Sequence, residues 1–271
     1  MLLAIDAGNT QTVLGLYDVN DGQAEPRYHW RVSTALERTA DEHALLIGGL
    51  IETTAGKFAD VVTGVAIASS VPPVTVAIRE LAQHHLETEA IVVGPGVKSG
   101  IPILYDNPRE VGPDRIADAV AAFDLYGGPT IVVDFGTATT FEVVTAKGEY
   151  LGGAICPGVE ISLDALFGRA AGLRRVELTA PEKVIGRSTL ESISSGAIYG
   201  FAAQTDGMCA RVEAEVGEPC NVVATGGLAS VIVDHSERIQ HHEPWLTLHG
   251  VRLVYEKNRD EGVPHGSGPT V

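Results

Sequence analysis

Basic clusters are missing from this sequence. Its 19 Lys and Arg stand against 35 Asp and Glu, a net charge of -16, and no run of Lys and Arg interrupts that balance. Nucleic acid and anionic membranes are therefore not expected as partners. Acidity does not exclude an anionic substrate such as a nucleoside triphosphate, because backbone amides and a bound metal supply a local positive field. Cysteine is scarce: Cys156, Cys209 and Cys220 are odd in number and lack metal-ligand spacing, the pattern of reduced, buried thiols rather than a disulfide framework. Long apolar runs are also missing, since none reaches the length of about 18 residues needed for a membrane-spanning helix. The opening Met-Leu-Leu-Ala-Ile-Asp has no basic residue before its apolar stretch, and Asp6 interrupts that stretch. A signal peptide is not expected, and the protein reads as cytoplasmic.

What is present is the balance of an ordinary globular chain, with 45% hydrophobic and 20% charged residues among 271. That length suits one large domain or two of roughly 130 residues. Short β-branched runs alternate with helical stretches. Strands are expected at Leu2 to Asp6, Thr12 to Tyr17, Arg27 to Val32, Val61 to Ala68 and Ala90 to Val93, with helices from Thr39 to Ile51 and from Val74 to His85. A helix from Pro113 to Tyr126 precedes strands at Thr130 to Asp134, Thr139 to Val144 and Tyr150 to Ile155. A long helix over Thr189 to Glu215, a strand at Asn221 to Ala224 and a helix from Leu246 to Lys257 complete the pattern, and the tail from Asp260 is expected to be mobile.

The chain repeats itself. Ile5-Asp6-Ala7-Gly8-Asn9-Thr10-Gln11-Thr12 aligns with Val133-Asp134-Phe135-Gly136-Thr137-Ala138-Thr139-Thr140, and Val65 to Ser70 echoes Val222 to Gly227. Two similar α/β halves facing each other account for both echoes. The break is placed so that residues 1–115 form one half, 116–258 the other and 259–271 the tail, with one helix near 112–129 linking or packing on both.

In Asp-x-Gly-x-Thr-x-Thr the glycine permits a tight turn whose amides and hydroxyls surround phosphate oxygens. Asp6, at a strand end, suits a Mg²⁺ held through water. One Asp-x-Gly alone is an ordinary hairpin; two at matching positions favour a nucleotide site. Gly226-Gly227 at a strand end suits close approach of a ligand. Gly112-Pro113-Asp114-Arg115 opens a helix with a carboxylate and a guanidinium side by side. The acid either complements the helix dipole or orients and deprotonates a hydroxyl while Arg115 binds an anion, and these four residues leave both readings open. Gly94 to Ser99 fails as a P-loop because Val97 stands where glycine must precede the lysine. His84-His85 and His241-His242 lack metal spacing, and Ser69-Ser70 lacks a nucleophile elbow.

Taken together, Asp6 to Thr12, Tyr105 to Pro108, Gly112 to Arg115, Asp134 to Thr140, Leu151 to Ala154 and Ala224 to Gly227 resemble the type III pantothenate kinases, in order from residue 1 to about 258. The resemblance implies two ribonuclease H-like halves, as in the actin-like ATPases, around a nucleotide cleft. It implies transfer of the ATP γ-phosphoryl to the primary hydroxyl of pantothenate, the first step of coenzyme A synthesis, with Mg²⁺ and a monovalent cation, K⁺ or NH₄⁺. By motif, Asp6, Ala7, Gly8, Asn9, Thr10, Gln11, Thr12, Val13 and Thr137 would bind ATP, and Asp134 would hold the monovalent cation. Tyr105, Gly112, Pro113, Asp114, Arg115 and Thr189 would bind pantothenate, with Asp114 the proton acceptor. Family members are typically homodimers.

Five positions depart from the family pattern. Arg187-Ser188 stands where Lys-Asn is usual before Thr189, Asp118 where Asn is common, Glu142 where Asp is common, and Pro113 replaces Ala. Asp118 is one helical turn from Asp114 and would raise its pKa if both faced the cleft. These changes motivate two alternatives: a sibling kinase for another primary hydroxyl, and a catalytically silent nucleotide-binding regulatory protein.

Overall fold

The computed structural model describes residues 1–170 and 177–259; the tail expected from Asp260 lies outside them. The chain forms two compact units, and they are interleaved rather than consecutive. Unit 1 takes Met1–Gly100, Arg109–Val120 and the chain from Thr247 onwards, while unit 2 takes Ile101–Pro108 and Ala121–Leu246. This differs from a single break at residue 115.

Unit 1 is built on β1 (Leu2–Ala7), β2 (Gln11–Tyr17), β3 (Tyr28–Ser33), α1 (Ala40–Glu52), α2 (Phe58–Val61), β4 (Gly64–Ser69), α3 (Pro72–Leu86) and β5 (Ala90–Val92). The sheet runs β3-β2-β1-β4-β5, with β1 antiparallel to β2 and parallel to β4. Leu3, Ile5, Leu14, Leu16 and Ile67 turn inward onto Ile47 and Ile51 of α1 and Ile78 and Leu81 of α3, each burial stabilising by about 1.5–3 kcal/mol. Thr39 starts α1 with a reciprocal cap: Glu42 N donates to its hydroxyl at 3.3 Å while Thr39 N donates to the Glu42 carboxylate at 2.8 Å. The strand expected from Val61 instead begins at Gly64, because Val61 ends the turn of α2, anchored by buried Phe58. The helix α4 (Pro113–Tyr126) starts in this unit.

Unit 2 repeats the plan with β6 (Thr130–Phe135), β7 (Ala138–Val144), β8 (Tyr150–Pro157), α5 (Val159–Arg169), α6 (Thr189–Val216), β9 (Asn221–Thr225), α7 (Ala229–Ile232) and β10 (His241–His242). Its order, β10-β9-β6-β7-β8, is the order of unit 1 read from the other edge, so both units have the ribonuclease H-like sheet. Ile131, Val133, Phe135 and Phe141 pack on Ile198 and Ala202 of α6. On the opposite face, Val132 and Val223 meet Ala121 and Ala122 at the end of α4. No element was expected over α5. Its Val-Glu-Ile-Ser-Leu-Asp-Ala run has the two-residue period of a strand, and only Val159 of the helix is buried.

The repeat is closer in space than in letters. β1 and β6 share one burial pattern, with the aspartate alone only partly buried, and Leu3↔Val65 corresponds to Ile131↔Val222. The turns differ by one residue, however. Ala7 pairs with Thr12, whereas Phe135 pairs with Thr139. Thr12 is therefore matched by Thr139, not by Thr140 as the aligned letters imply.

The last helix, α8 (Leu246–Asn258), returns the chain to unit 1. It can approach α4 closely because Gly250 lies against the Ala117 carbonyl, where a Cβ would collide. Thr247 on the same helix donates to Asp118 of α4 at 2.7 Å. Replacing Gly250 by Ala is expected to destabilise the protein by about 1–3 kcal/mol, read as a lower urea midpoint with an unchanged slope.

Candidate active site

The first Asp-x-Gly turn sits where β1 gives way to β2. Asp6 pairs across to Val13 and alongside Ala68, which places its carboxylate at the end of a strand held on both edges. The turn closes with Gly8 N donating to Gln11 O at 3.0 Å, and Asn9, Thr10 and Gln11 are exposed. Residues with no motif of their own brace it. Thr34, just beyond β3, donates from its hydroxyl to Gly8 O at 2.7 Å and stands 2.9 Å from the Thr12 hydroxyl.

In unit 2 Asp134 occupies the matching place, opposite Thr140 and beside Thr225. Gly226, with φ +94°, lies against its carboxylate so closely that a Cβ would collide with Oδ1. A Cβ on Gly136 would come 3.5 Å from Oδ2. Two backbone segments free of side chains thus border one carboxylate. Asp134 there, and Asp6 at its own strand end, are the carboxylates that could hold a hard cation. Among the described residues no group of three or more His, Cys, Asp or Glu forms a metal cluster. Thr137 is exposed on the turn that follows Asp134.

The helix start Gly112 to Arg115 is held by its own chemistry. Asp114 Oδ1 accepts from Arg115 N at 2.9 Å, and the carboxylate folds over the Cα of Gly112, where any Cβ would collide with it. The Gly-x-Asp spacing thus fixes the direction of the carboxylate. Asp118 does not share this surface. It is 1% exposed and accepts the Thr247 hydroxyl, a bond between α4 and α8.

Tyr105 is set beside β8 by the segment before it: Tyr150 N donates to Pro102 O and Leu104 N to Tyr150 O, both at 2.8 Å. A bulge inserts Leu151 between the pairs Val143↔Gly152 and Val144↔Tyr150. Gly152, at φ +120°, leaves room for the Tyr105 ring, which a Cβ would approach to 3.0 Å. The Tyr105 and Tyr150 ring centroids are 6.3 Å apart, and Tyr150 OH donates to Glu142 at 2.5 Å with both residues at 0% exposure. The departure at Glu142 thus supplies the acceptor for the tyrosine beneath Tyr105. Glu142 stood out in sequence only as a departure from the family pattern and Tyr150 not at all, because their bond crosses a hairpin and leaves no motif.

Thr189 is exposed at the first turn of α6. Ser188 caps that helix by accepting Glu191 N at 3.2 Å, and Arg187 N donates to the Glu191 carboxylate at 2.7 Å. The structure therefore gathers the sequence-predicted residues into local groups: the Asp6 turn with Thr34, Gly112 with Asp114 and Arg115, Asp134 with Gly136 and Gly226, and Tyr105 with Gly152. Thr189 stands apart at its helix start.

Two solved structures share the fold. One is described as a Baf family transcriptional activator from Campylobacter jejuni, with TM-score 0.57 and 16% identity, matched over 95% of this chain and 99% of that one. The other is the activator of 2-hydroxyisocaproyl-CoA dehydratase from Clostridium difficile with bound ADPNP, with TM-score 0.51 and 11% identity over 96% of both. The type III pantothenate kinase family model matches residues 2–211. The chain belongs to the type III pantothenate kinases. It is 52% identical to the type III pantothenate kinase of Streptomyces griseus over 95% of this chain and 98% of the relative. The Myxococcus xanthus enzyme is 48% identical over 95% and 99%.

Removing the Tyr150 hydroxyl by Tyr150→Phe, or shortening its partner by Glu142→Asp, is expected to cost about 1–3 kcal/mol. The double variant should cost little more than either alone; chemical denaturation of the three variants checks this.

Proposed function

We propose that this protein phosphorylates pantothenate with ATP to give 4'-phosphopantothenate, the first step of coenzyme A biosynthesis, in the cytoplasm. Family membership over most of the chain supports the substrate pair. The observation that carries the chemistry is the Asp114 carboxylate, locked over Gly112 at the start of α4 with the Arg115 guanidinium next in sequence.

In this reading the primary hydroxyl oxygen of pantothenate bonds to the γ-phosphorus, the bond to the β,γ-bridging oxygen breaks, and ADP leaves. Asp114 orients the hydroxyl and accepts its proton. No strong base is required, because a loose transition state transfers the proton late. Arg115 binds an anionic group, and Tyr105, Gly112, Pro113 and Thr189 complete the pantothenate contacts. The turn from Asp6 to Val13, with Thr137, holds ATP. Asp6 would hold Mg²⁺ through water and Asp134 the monovalent cation, K⁺ or NH₄⁺, which when bound would supply positive charge against the phosphates. The protein acts as a homodimer, a reading supported by apolar side chains exposed in unit 2, among them Ile155 at 65%, Val184 at 65%, Ile185 at 84% and Leu190 at 54%. No described helix is long and apolar enough to cross a membrane.

The test is ADP release from purified protein with ATP, Mg²⁺, K⁺ and pantothenate, run beside Asp114→Asn and a Na⁺-only control. Turnover should require pantothenate and K⁺, and Asp114→Asn should lower kcat by about 10²–10⁴-fold while the KM for ATP stays within about twofold. Turnover of a different alcohol and none of pantothenate would reject the substrate.

A further inference from the structure

The two units close their Asp-x-Gly turns by different means. In unit 1 the pair Gln11↔Ser33 ends the β2–β3 ladder, and Thr34 follows. In unit 2 the pair Ala138↔Pro157 ends the β7–β8 ladder, and Gly158 follows. The same topological position therefore carries a threonine in one unit and a glycine in the other.

Thr34 is tied to the turn three times. Its hydroxyl donates to Gly8 O at 2.7 Å, its amide donates to Thr10 O at 3.1 Å, and its oxygen lies 2.9 Å from the Thr12 hydroxyl. A threonine hydroxyl has one hydrogen, and Gly8 O takes it, so Thr12 is the donor in the last contact. The direction of these bonds matters for the other side of the turn. In a trans peptide the carbonyl and the following N–H point opposite ways. Drawing the Gly8 and Thr10 carbonyls towards Thr34 therefore aims the amides of Asn9 and Gln11 away from it.

At the unit 2 position Gly158 lies directly against the carbonyls of Gly136 and Thr137, with no space for a side chain. Thr139, the counterpart of Thr12, has a buried hydroxyl without a hydrogen-bond partner. The hydroxyl relay is built only into the turn that starts at Asp6.

We propose that Thr34 is a positioning residue for the nucleotide: its hydroxyl and amide hold two carbonyls inward so that the Asn9 and Gln11 amides are presented to the phosphates. The inference rests on reading Asp6 to Val13 as the ATP-binding turn, and the experiment separates the two. Full-length wild type, Thr34→Val, Thr34→Ser and Gly8→Val are compared by calorimetric titration with Mg²⁺-ADP, by KM for ATP and for pantothenate, and by melting temperature. Valine keeps the shape and removes the hydroxyl, and is expected to weaken ADP binding and raise the KM for ATP about tenfold, with the KM for pantothenate within about twofold. Serine restores both nucleotide values. If valine does not fold, Thr34→Ala is read by the same criteria. A lowered melting temperature with unchanged ADP affinity makes Thr34 merely structural and overturns the inference. Loss of ADP binding in Gly8→Val but not in Thr34→Val overturns it while leaving the turn as the ATP site. Unchanged binding in both overturns the turn and the inference together.

Discussion

A strand that is hydrogen-bonded along both edges and covered on both faces has one place for a charge, which is its end. β1 and β6 are such strands. Each is six residues long and buried except at its fifth residue, Asp6 in one and Asp134 in the other. The parallel neighbours end there too, β9 beside Asp134 and β4 one residue past Asp6, beside Ala7, and each hairpin turns away just beyond. The carboxylates therefore emerge at the same edge of their sheets, next to exposed turns. Burying either charge in mid-strand would cost several kcal/mol, so the apolar core itself dictates where the acids stand.

From that shared frame the units diverge through glycines and hydroxyls. Gly226 and Gly136 bring bare backbone to Asp134, which suits oxygen coordination. Around Asp6 the turn is one residue longer and tied down by side chains. Gly112 serves a third purpose, because its missing side chain is what lets Asp114 fold back and keep one direction. On the function proposed above, one backbone plan would carry a nucleotide-facing turn in one copy and a cation-facing carboxylate in the other.

The hairpins, the central strands and most helices were legible because their signals are local: alternation, β-branched runs and capping residues. The Asp-x-Gly repeat was legible for the same reason. The register offset between the turns was not, since matching Thr with Thr hides a one-residue change in loop length. α5 escaped because its apolar residues alternate like those of a strand and most stay exposed. Asp118 and Glu142 looked like altered site residues. Their partners, Thr247 at 129 positions' remove and Tyr150 across a hairpin, show them to be internal supports. Thr34 was silent in sequence because a lone Ser-Thr after a strand has no pattern, and its role appears only when its bonds to Gly8 and Thr10 are seen.

The return of α8 to unit 1 governs the order in which the chain completes itself on the ribosome. Leu248 packs at Gly15 of β2, Gly250 at Ala117 and Tyr255 at Gly64, so unit 1 lacks one wall until α8 has been made. The unit 1 strands are all made by Val92, yet unit 2, almost all of it one continuous stretch from Ala121 to Leu246, is made before α8 can close unit 1. Vectorial synthesis usually favours the domain that is made first; here the interleaved connectivity leaves the unit 1 sheet dependent on Thr247 to Asn258, which follow all of unit 2 in the chain.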